Sequence, residues 1–239
     1  MTTPPSPQGM ARTAGLFWLL CIFAGLLGSS LGSRGVVSGN AVATSTNLLA
    51  HESSFRWALA ADIGAVVFYL VATLLVYELL KPVNRNLSRI AAAFSLMGCA
   101  SSTIGFLMHL APLTILGGAD YLRVFTGEQL QALAFLFLRW KGQASIVTFV
   151  FFGLHCLLVG YLVFRSTYLP RLVGGLMVLA GLGWLTMSFG NLLSPPFARN
   201  LGAYPMMTGG LGEGSLTLWL LIMGVNAERW KERLSPQGR

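Results

Sequence analysis

Residues 57–80 read WALAADIGAVVFYLVATLLVYELL, and only Asp62 and Glu78 among them are acidic or basic. A helix of this length rises about 36 Å at roughly 1.5 Å per residue, which exceeds the roughly 30 Å of hydrocarbon in a bilayer. Lys81 and Pro82 follow at once, and proline cannot continue the hydrogen-bond ladder of a helix. The stretch therefore predicts a transmembrane helix that ends at this point.

The composition of the whole chain agrees with this stretch. Of the 239 residues, 54% are hydrophobic and only 10% are charged, whereas soluble domains carry about 25% charged residues. The mean hydropathy is +0.67. A soluble domain this apolar could not cover its surface with polar groups, but lipid solvates apolar helix faces. The composition predicts a multi-pass membrane protein whose main partner is the lipid bilayer.

Apolar runs of similar length recur along the chain. Residues 1–11 are predicted to form a disordered tail, residues 12–227 a membrane domain, and residues 228–239 a charged cytoplasmic tail. The predicted fold is an all-α bundle of about six transmembrane helices, at residues 14–31, 57–80, 90–116, 142–164, 172–193 and 204–225. The alternative for the first run is a cleaved signal peptide, because small residues at positions 28–30 follow its apolar part.

A short amphipathic helix is predicted between spans three and four. Thr126 and Gln129 have the spacing of a capping box, in which the side chain at each position bonds the backbone N–H of the other. Leu130, Leu133 and Phe137 follow at helical spacing and mark one apolar face. We expect this helix to lie on the membrane surface. The alternative is an extension of span four.

The distribution of basic residues predicts the orientation. With the N-terminus inside, ten of the 16 Lys and Arg residues fall on the cytoplasmic side and six fall outside. An even number of spans then places the C-terminus inside as well. The net charge of +8 arises from residues scattered one to three at a time between apolar runs. Such charges are typical of contacts with lipid headgroups, and we therefore expect no nucleic-acid partner.

Cysteine and metal-site patterns give little support for a cofactor. Cys21, Cys99 and Cys156 each fall inside an apolar run, without a close-spaced partner. This spacing favours buried thiols over a disulfide framework or a zinc site. The HExxH motif of zinc hydrolases is absent. We predict no metal site, with a site of carboxylates and histidines as a minor alternative, and the sequence identifies no cofactor.

Four short stretches resemble a known family. They are LLKPVNRNL (79–87), GADY (118–121), FGLHCLL (152–158) with GYL (160–162), and YLP (168–170). Together they are similar to domain-of-unknown-function family 4386, a group of bacterial multi-pass membrane proteins, over about residues 11–226. The resemblance implies a bacterial inner-membrane location and brings no activity. His109 does not belong to the pattern of that family.

Polar residues inside the apolar runs are the candidate site residues, because an ionisable group at mid-bilayer costs roughly 2.5–3.5 kcal/mol on insertion scales. They are Asp62, His109, His155, Asn191 and Glu213. Helical rise places Asp62, His109 and Glu213 roughly 8, 10 and 13 Å below the outer surface, with His155 roughly 20 Å down. We predict a polar pocket open to the periplasm, lined by Asp62, Glu213, Asn191 and His109, with His155 as a deeper site. This depth difference argues against haem held by the two histidines.

Glu213 lies in a glycine-rich segment, in which Gly210 and Gly214 have the GxxxG spacing of close helix packing. A carboxyl group in such a seam suggests proton handling or ligand binding. The leading hypothesis is small-molecule or proton-linked transport, or ligand sensing, through the pocket. The alternatives are a structural or partner-binding membrane protein and an intramembrane enzyme, of which the enzyme is less favoured. The sequence predicts neither the small-molecule ligand nor the oligomeric state.

Overall fold

The computed structural model describes residues 6–234, and within this range the fold is all-α, without a β-strand. The helices are α1 (Pro7–Ser33), α2 (Ala41–Ala50), α3 (Glu52–Leu80), α4 (Arg85–Leu116), α5 (Gly127–Arg165), α6 (Arg171–Leu193), α7 (Pro195–Leu201), α8 (Tyr204–Leu218) and α9 (Ala227–Leu234). A 3₁₀ turn (Asp120–Leu122) precedes α5, and a π turn (Trp219–Met223) continues α8. The predicted helical membrane bundle is confirmed.

Five of these helices, α1, α3, α4, α5 and α6, are long and apolar enough to cross a membrane. Large apolar side chains are exposed along them, including Phe23, Leu107 and Leu172, as expected where lipid is the solvent. The sixth predicted span corresponds to α8 and the π turn. These elements together cover residues 204–223 and rise about 30 Å. Their crossing of the membrane stays a prediction.

The prediction of a separate surface helix is wrong. Thr126 caps a helix as predicted: its hydroxyl accepts from the Gln129 N–H at 3.2 Å, and the Gln129 side chain accepts from the Thr126 N–H at 2.9 Å. However, this helix is α5, which runs without a break from Gly127 to Arg165. The polar residues at 139–142 contain no proline, and one glycine is tolerated inside a helix. The alternative, an extension of span four, is the observed structure.

The first helix begins earlier than predicted. Pro7 to Ala11 are helical, whereas residues 1–11 were predicted to be disordered. Two hydrogen bonds of Gln8 hold this part of the helix in place. Its side-chain N–H donates to the Met223 carbonyl, and its side-chain oxygen accepts from the Val225 N–H, both at 2.9 Å. These bonds satisfy backbone groups where the π turn ends. Residues 1–5 and 235–239 of the two predicted tails lie outside the described residues.

Two of the stretches that carry the family resemblance meet at the end of α3. The Tyr168 hydroxyl donates to the Leu79 carbonyl at 2.6 Å, and the Trp230 indole N–H donates to the same oxygen at 3.0 Å. The last carbonyls of a helix have no partner within the helix, so these donors stabilise its end. Burial raises the pKa of Tyr168, which keeps its hydroxyl a donor at physiological pH.

The chain divides into two compact units. The first unit contains residues up to 20, residues 68–99 and residues from 146 onward, and the second contains residues 21–67 and 100–145. No disulfide bond joins any of the three cysteines. Each unit encloses its own group of polar side chains.

Candidate functional site

Three ionisable side chains meet inside the second unit. The Lys141 ammonium on α5 lies 2.6 Å from Nδ1 of His109 on α4 and 3.4 Å from Oδ2 of Asp62 on α3. We call Asp62, His109 and Lys141 the triad. Asp62 and His109 were predicted to converge, whereas Lys141 was not among the predicted site residues.

The hydrogen bonds define the form of the imidazole. His109 Nε2 lies 2.9 Å from the Phe55 carbonyl oxygen, which only accepts, so Nε2 carries the proton. Nδ1 is then the acceptor of a Lys141 N–H. His109 is therefore neutral in this arrangement, and its ring is held by stacking on the Phe55 ring at 3.9 Å between centroids.

The glycines of α1 give the triad its space. A Cβ at Gly28 would overlap the Asp62 carboxylate, and a Cβ at Gly32 would lie 3.7 Å from the His109 ring and 3.9 Å from Lys141 Nζ. The two glycines are four residues apart and share one helix face. This face lets the acidic side chain fill the volume that a larger residue at position 28 would occupy.

The triad is not sealed from its surroundings. The Asp62 and Lys141 side chains are 21% and 28% exposed, while His109 is buried at 1%. The Lys141 ammonium also lies nearer to the neutral His109 imidazole than to the oppositely charged Asp62 carboxylate. A cation shared between two acceptors in this way can change partner when either acceptor gains a proton.

A second polar group lies inside the first unit, around Glu213 on α8. The Trp184 indole N–H donates to Oε1 of this carboxyl at 2.8 Å, and the Trp18 indole N–H donates to Oε2 at 3.3 Å. The Cys156 thiol donates a third hydrogen bond. The carboxyl group thus joins α1, α5, α6 and α8. We call Glu213 with these three donors the carboxyl cluster.

His155 lies beside this cluster, because it precedes Cys156 and its ring centroid is 6.2 Å from that of Trp18. Its Nδ1 lies 2.9 Å from the Ala91 carbonyl oxygen and therefore carries the ring proton. The other nitrogen, Nε2, has no hydrogen-bond partner in the described part of the chain. The adjoining crevice, lined also by Thr73, has no space for a water molecule.

The close approach of α8 to α6 uses a different glycine register from the one predicted. A Cβ at Gly209 would overlap the Trp184 ring, and a Cβ at Gly212 would overlap the backbone of α6. Gly210 and Gly214 have no such neighbours within 4 Å. The packing at Gly209 places Trp184 against α8, where its N–H reaches Glu213.

Asp62 and His109 lie in the second unit, while Asn191 and Glu213 lie in the first. A pocket lined jointly by these four residues stays a prediction. Asn191 bonds the Met187 carbonyl of its own helix at 2.8 Å. An open surface concavity of about 580 Å³ is lined by none of the predicted site residues; it lies along the start of α3, at Glu52, Ser53, Arg56, Trp57 and Ala60. Sequence reasoning missed Trp18, Trp184 and Lys141.

The described residues give no support to a metal or hydrolase site. Within residues 6–234, no group of three or more His, Cys, Asp and Glu side chains is placed to hold a metal ion. The letters GSSLG at residues 28–32 match the GxSxG pattern of serine hydrolases. That pattern requires a turn from a strand to a helix, whereas these residues lie inside α1 and both Ser29 and Ser30 are exposed.

Comparison with known proteins agrees with the sequence resemblance. The family described as "Domain of unknown function (DUF4386)" matches residues 13–224. An uncharacterized protein of Archaeoglobus fulgidus is 26% identical over 159 residues, which are 66% of this chain and 78% of that protein. No solved structure matches the chain. With its helical membrane bundle and a match over most of its length, the protein belongs to the DUF4386 family of domains of unknown function.

Proposed function

We propose that this integral membrane protein carries out proton-linked transport or sensing of a small molecule, with the triad as its working site. The observation that carries the proposal is the position of Lys141 Nζ, which lies between His109 Nδ1 at 2.6 Å and Asp62 Oδ2 at 3.4 Å. Ionisable residues within membrane spans are costly and commonly mark proton or substrate pathways.

Protonation of either acceptor changes the contacts between three helices. A proton on His109 Nδ1 removes the lone pair that accepts from Lys141, so the ammonium moves fully to Asp62. A proton on Asp62 removes the negative charge, so Lys141 keeps only the imidazole. Protonation of His109 thus exchanges a contact between α5 and α4 for one between α5 and α3, and protonation of Asp62 does the reverse. The triad therefore links proton binding to helix packing, as coupled transport and sensing require.

The partial exposure of Asp62 and Lys141 supports the same proposal, because a proton or solute must reach the site. The basic-residue distribution supports an orientation in the inner membrane with both termini in the cytoplasm and the triad toward the periplasm. A structural role is the runner-up. It is favoured by the carboxyl cluster, in which Glu213 is fully bonded to side chains of three other helices.

Proton flux into liposomes tests the proposal. Purified protein is reconstituted into vesicles that contain a pH-sensitive dye, and a potassium gradient with valinomycin sets the membrane potential. We expect the wild type to acidify the lumen faster than empty vesicles, and Asp62→Asn and Lys141→Met to lose at least nine-tenths of this flux. Glu52→Gln is the matched control on the same helix, since it breaks an exposed ion pair with Arg56.

The outcome separates the transport or sensing role from the structural one. Equal flux in the wild type, Asp62→Asn and empty vesicles, combined with unchanged binding in a thermal-shift screen of small polar solutes, would show that the triad is a structural ion pair. Loss of flux in Glu52→Gln as well would point to general damage of the helix and not to the triad.

A further inference from the structure

Glu213 and His155 are buried ionisable groups in the first unit that the proposed function does not use. Both carboxyl oxygens of Glu213 receive an indole N–H, from Trp184 at 2.8 Å and Trp18 at 3.3 Å. The Cys156 thiol donates as well. Among the described residues, three donors and no positively charged side chain contact this carboxyl group, which describes a site built to hold it in place.

The imidazole of His155, in contrast, has one nitrogen without a hydrogen-bond partner among the described residues. Its side chain is 1% exposed, its Nδ1 proton is bound to the Ala91 carbonyl, and the Nε2 lone pair has no donor among the described residues. A buried polar atom of this kind calls for a missing partner. The crevice that His155 lines has no space for a water molecule. A proton is the ligand that Nε2 can take without any cavity.

The other titratable groups around Glu213 and His155 are uncharged at physiological pH, so these two side chains are the ones that can carry a charge. The titratable groups that face them are the Cys156 thiol on α5 and the Tyr69 phenol on α3, whose ring lies 5.9 Å from His155. Both types are ordinarily neutral at physiological pH. The elements α1 and α6 contribute the indoles of Trp18 and Trp184, and α4 contributes a backbone carbonyl.

We propose that Glu213 and His155 together form a binding site for a single proton. With one proton the pair has no net charge, either as a carboxylic acid with neutral imidazole or as a carboxylate with imidazolium. With no proton the interior holds one uncompensated negative charge, and with two it holds one uncompensated positive charge. An unpaired buried charge is far more costly than either neutral form, so the pair retains one proton.

Two buried hydroxyls extend this site along the helices. Ser188 lies one turn from Trp184 on α6, Thr217 lies one turn from Glu213 on α8, and neither side-chain oxygen has a hydrogen-bond partner in the described range. Because a hydroxyl both donates and accepts, such groups suit the transfer of a proton toward or away from the pair. The inference is independent of the triad, which lies in the other unit.

Proton counting on the reconstituted protein tests the inference. The chain has three histidines, so His51→Gln with His109→Gln leaves His155 as the single histidine for ¹⁵N solid-state NMR. Infrared spectroscopy of the same membranes detects the carbonyl stretch of a protonated carboxyl, which is assigned to Glu213 by its loss in Glu213→Gln. At neutral pH we expect one proton in total: an acid band with neutral His155, or no such band with imidazolium.

In each single variant the remaining group must be uncharged. In His155→Asn, whose amide N–H takes the place of the Nδ1–H that donates to the Ala91 carbonyl, we expect the acid band of Glu213 at full intensity. In Glu213→Gln we expect neutral His155. Asp62→Asn must leave the count at one, which separates this test from the proton-flux experiment. A carboxylate beside a neutral imidazole in the wild type, or protons on both, overturns the inference. If a substitution prevents folding, all three histidine signals and all carboxyl bands of the wild type are compared with those of the variants that fold, so the count can still be made.

Discussion

Replacing Lys141 with Met removes the cation that faces Asp62 and leaves that carboxylate inside the second unit without its partner. At 3.4 Å and an effective dielectric constant of about 20, the attraction between the two charges is about 5 kcal/mol. Desolvation offsets much of this attraction. Both side chains are less than a third exposed, so we expect a net coupling of about 1–3 kcal/mol, between the values for exposed and buried pairs.

A double-mutant cycle measures this coupling directly. The free energy of unfolding is determined by reversible detergent-induced unfolding for the wild type, Asp62→Asn, Lys141→Met and the double variant. Since the double variant has no uncompensated charge, we expect it to be more stable than Lys141→Met alone. The parallel cycle at Glu52 and Arg56, an exposed pair on α3, should show a coupling below about 1 kcal/mol.

Additive effects in the first cycle would refute this reasoning. They would mean that Asp62 and Lys141 do not interact in the folded protein, and that the shared ammonium does not link the three helices. The position of Lys141, on which the proposed function rests, would then make no contribution to the free energy of unfolding through Asp62. A double variant less stable than Lys141→Met alone would contradict the expectation that the unpaired Asp62 carboxylate is the main cost of that substitution.

Three further predictions concern single contacts. Gly28→Ala should lower proton flux by at least tenfold, because its methyl group displaces Asp62, whereas Gly25→Ala, which has no neighbour within 4 Å, should match the wild type in the same liposomes. Trp184→Phe keeps an aromatic ring against α8 but removes one donor to Glu213; the detergent assay should show a loss of about 1.5–3 kcal/mol, and a change within error would show that this bond is weak. Thr126→Ala should cost about 1 kcal/mol through the lost helix cap and leave flux unchanged, so a loss of flux there would tie the start of α5 to function.

The predicted orientation has its own test. Fusion of a periplasm-active phosphatase and a cytoplasm-active fluorescent protein at each loop should report residues 81–84 and 166–170 as cytoplasmic and residues 117–126 as periplasmic. Fusions at either terminus of the full-length protein should be fluorescent and lack phosphatase activity, as expected for cytoplasmic termini. The reverse pattern would invert the bundle and place the triad on the cytoplasmic side.

Part of this structure could be read from local patterns. Transmembrane helices satisfy their own backbone groups in lipid, so length and apolarity identify them without any tertiary information. The capping box at Thr126 and Gln129 is equally local, and both of its hydrogen bonds are present. The continuity of α5 is harder to predict from local patterns. The polar residues between the capping box and span four are compatible with either a break or an uninterrupted helix.

The partners of the polar residues depend on packing between helices distant in the chain. Composition identified Asp62, His109, His155 and Glu213 as costly groups, but not the contacts that each of them makes. Lys141 appears as an interfacial charge until α5 is seen to be one helix. Its ammonium then lies within reach of Asp62, 79 residues away in the chain.

Composition, together with the backbone's need for hydrogen bonds in lipid, is sufficient to predict apolar helices with a few costly polar residues. The packing of the helices is needed to see that Asp62 and His109 share a lysine, while Glu213 is held by two indoles and a thiol. The reason is steric. Small residues such as Gly28 and Gly209 set how closely helices approach, and that approach selects which side chains meet.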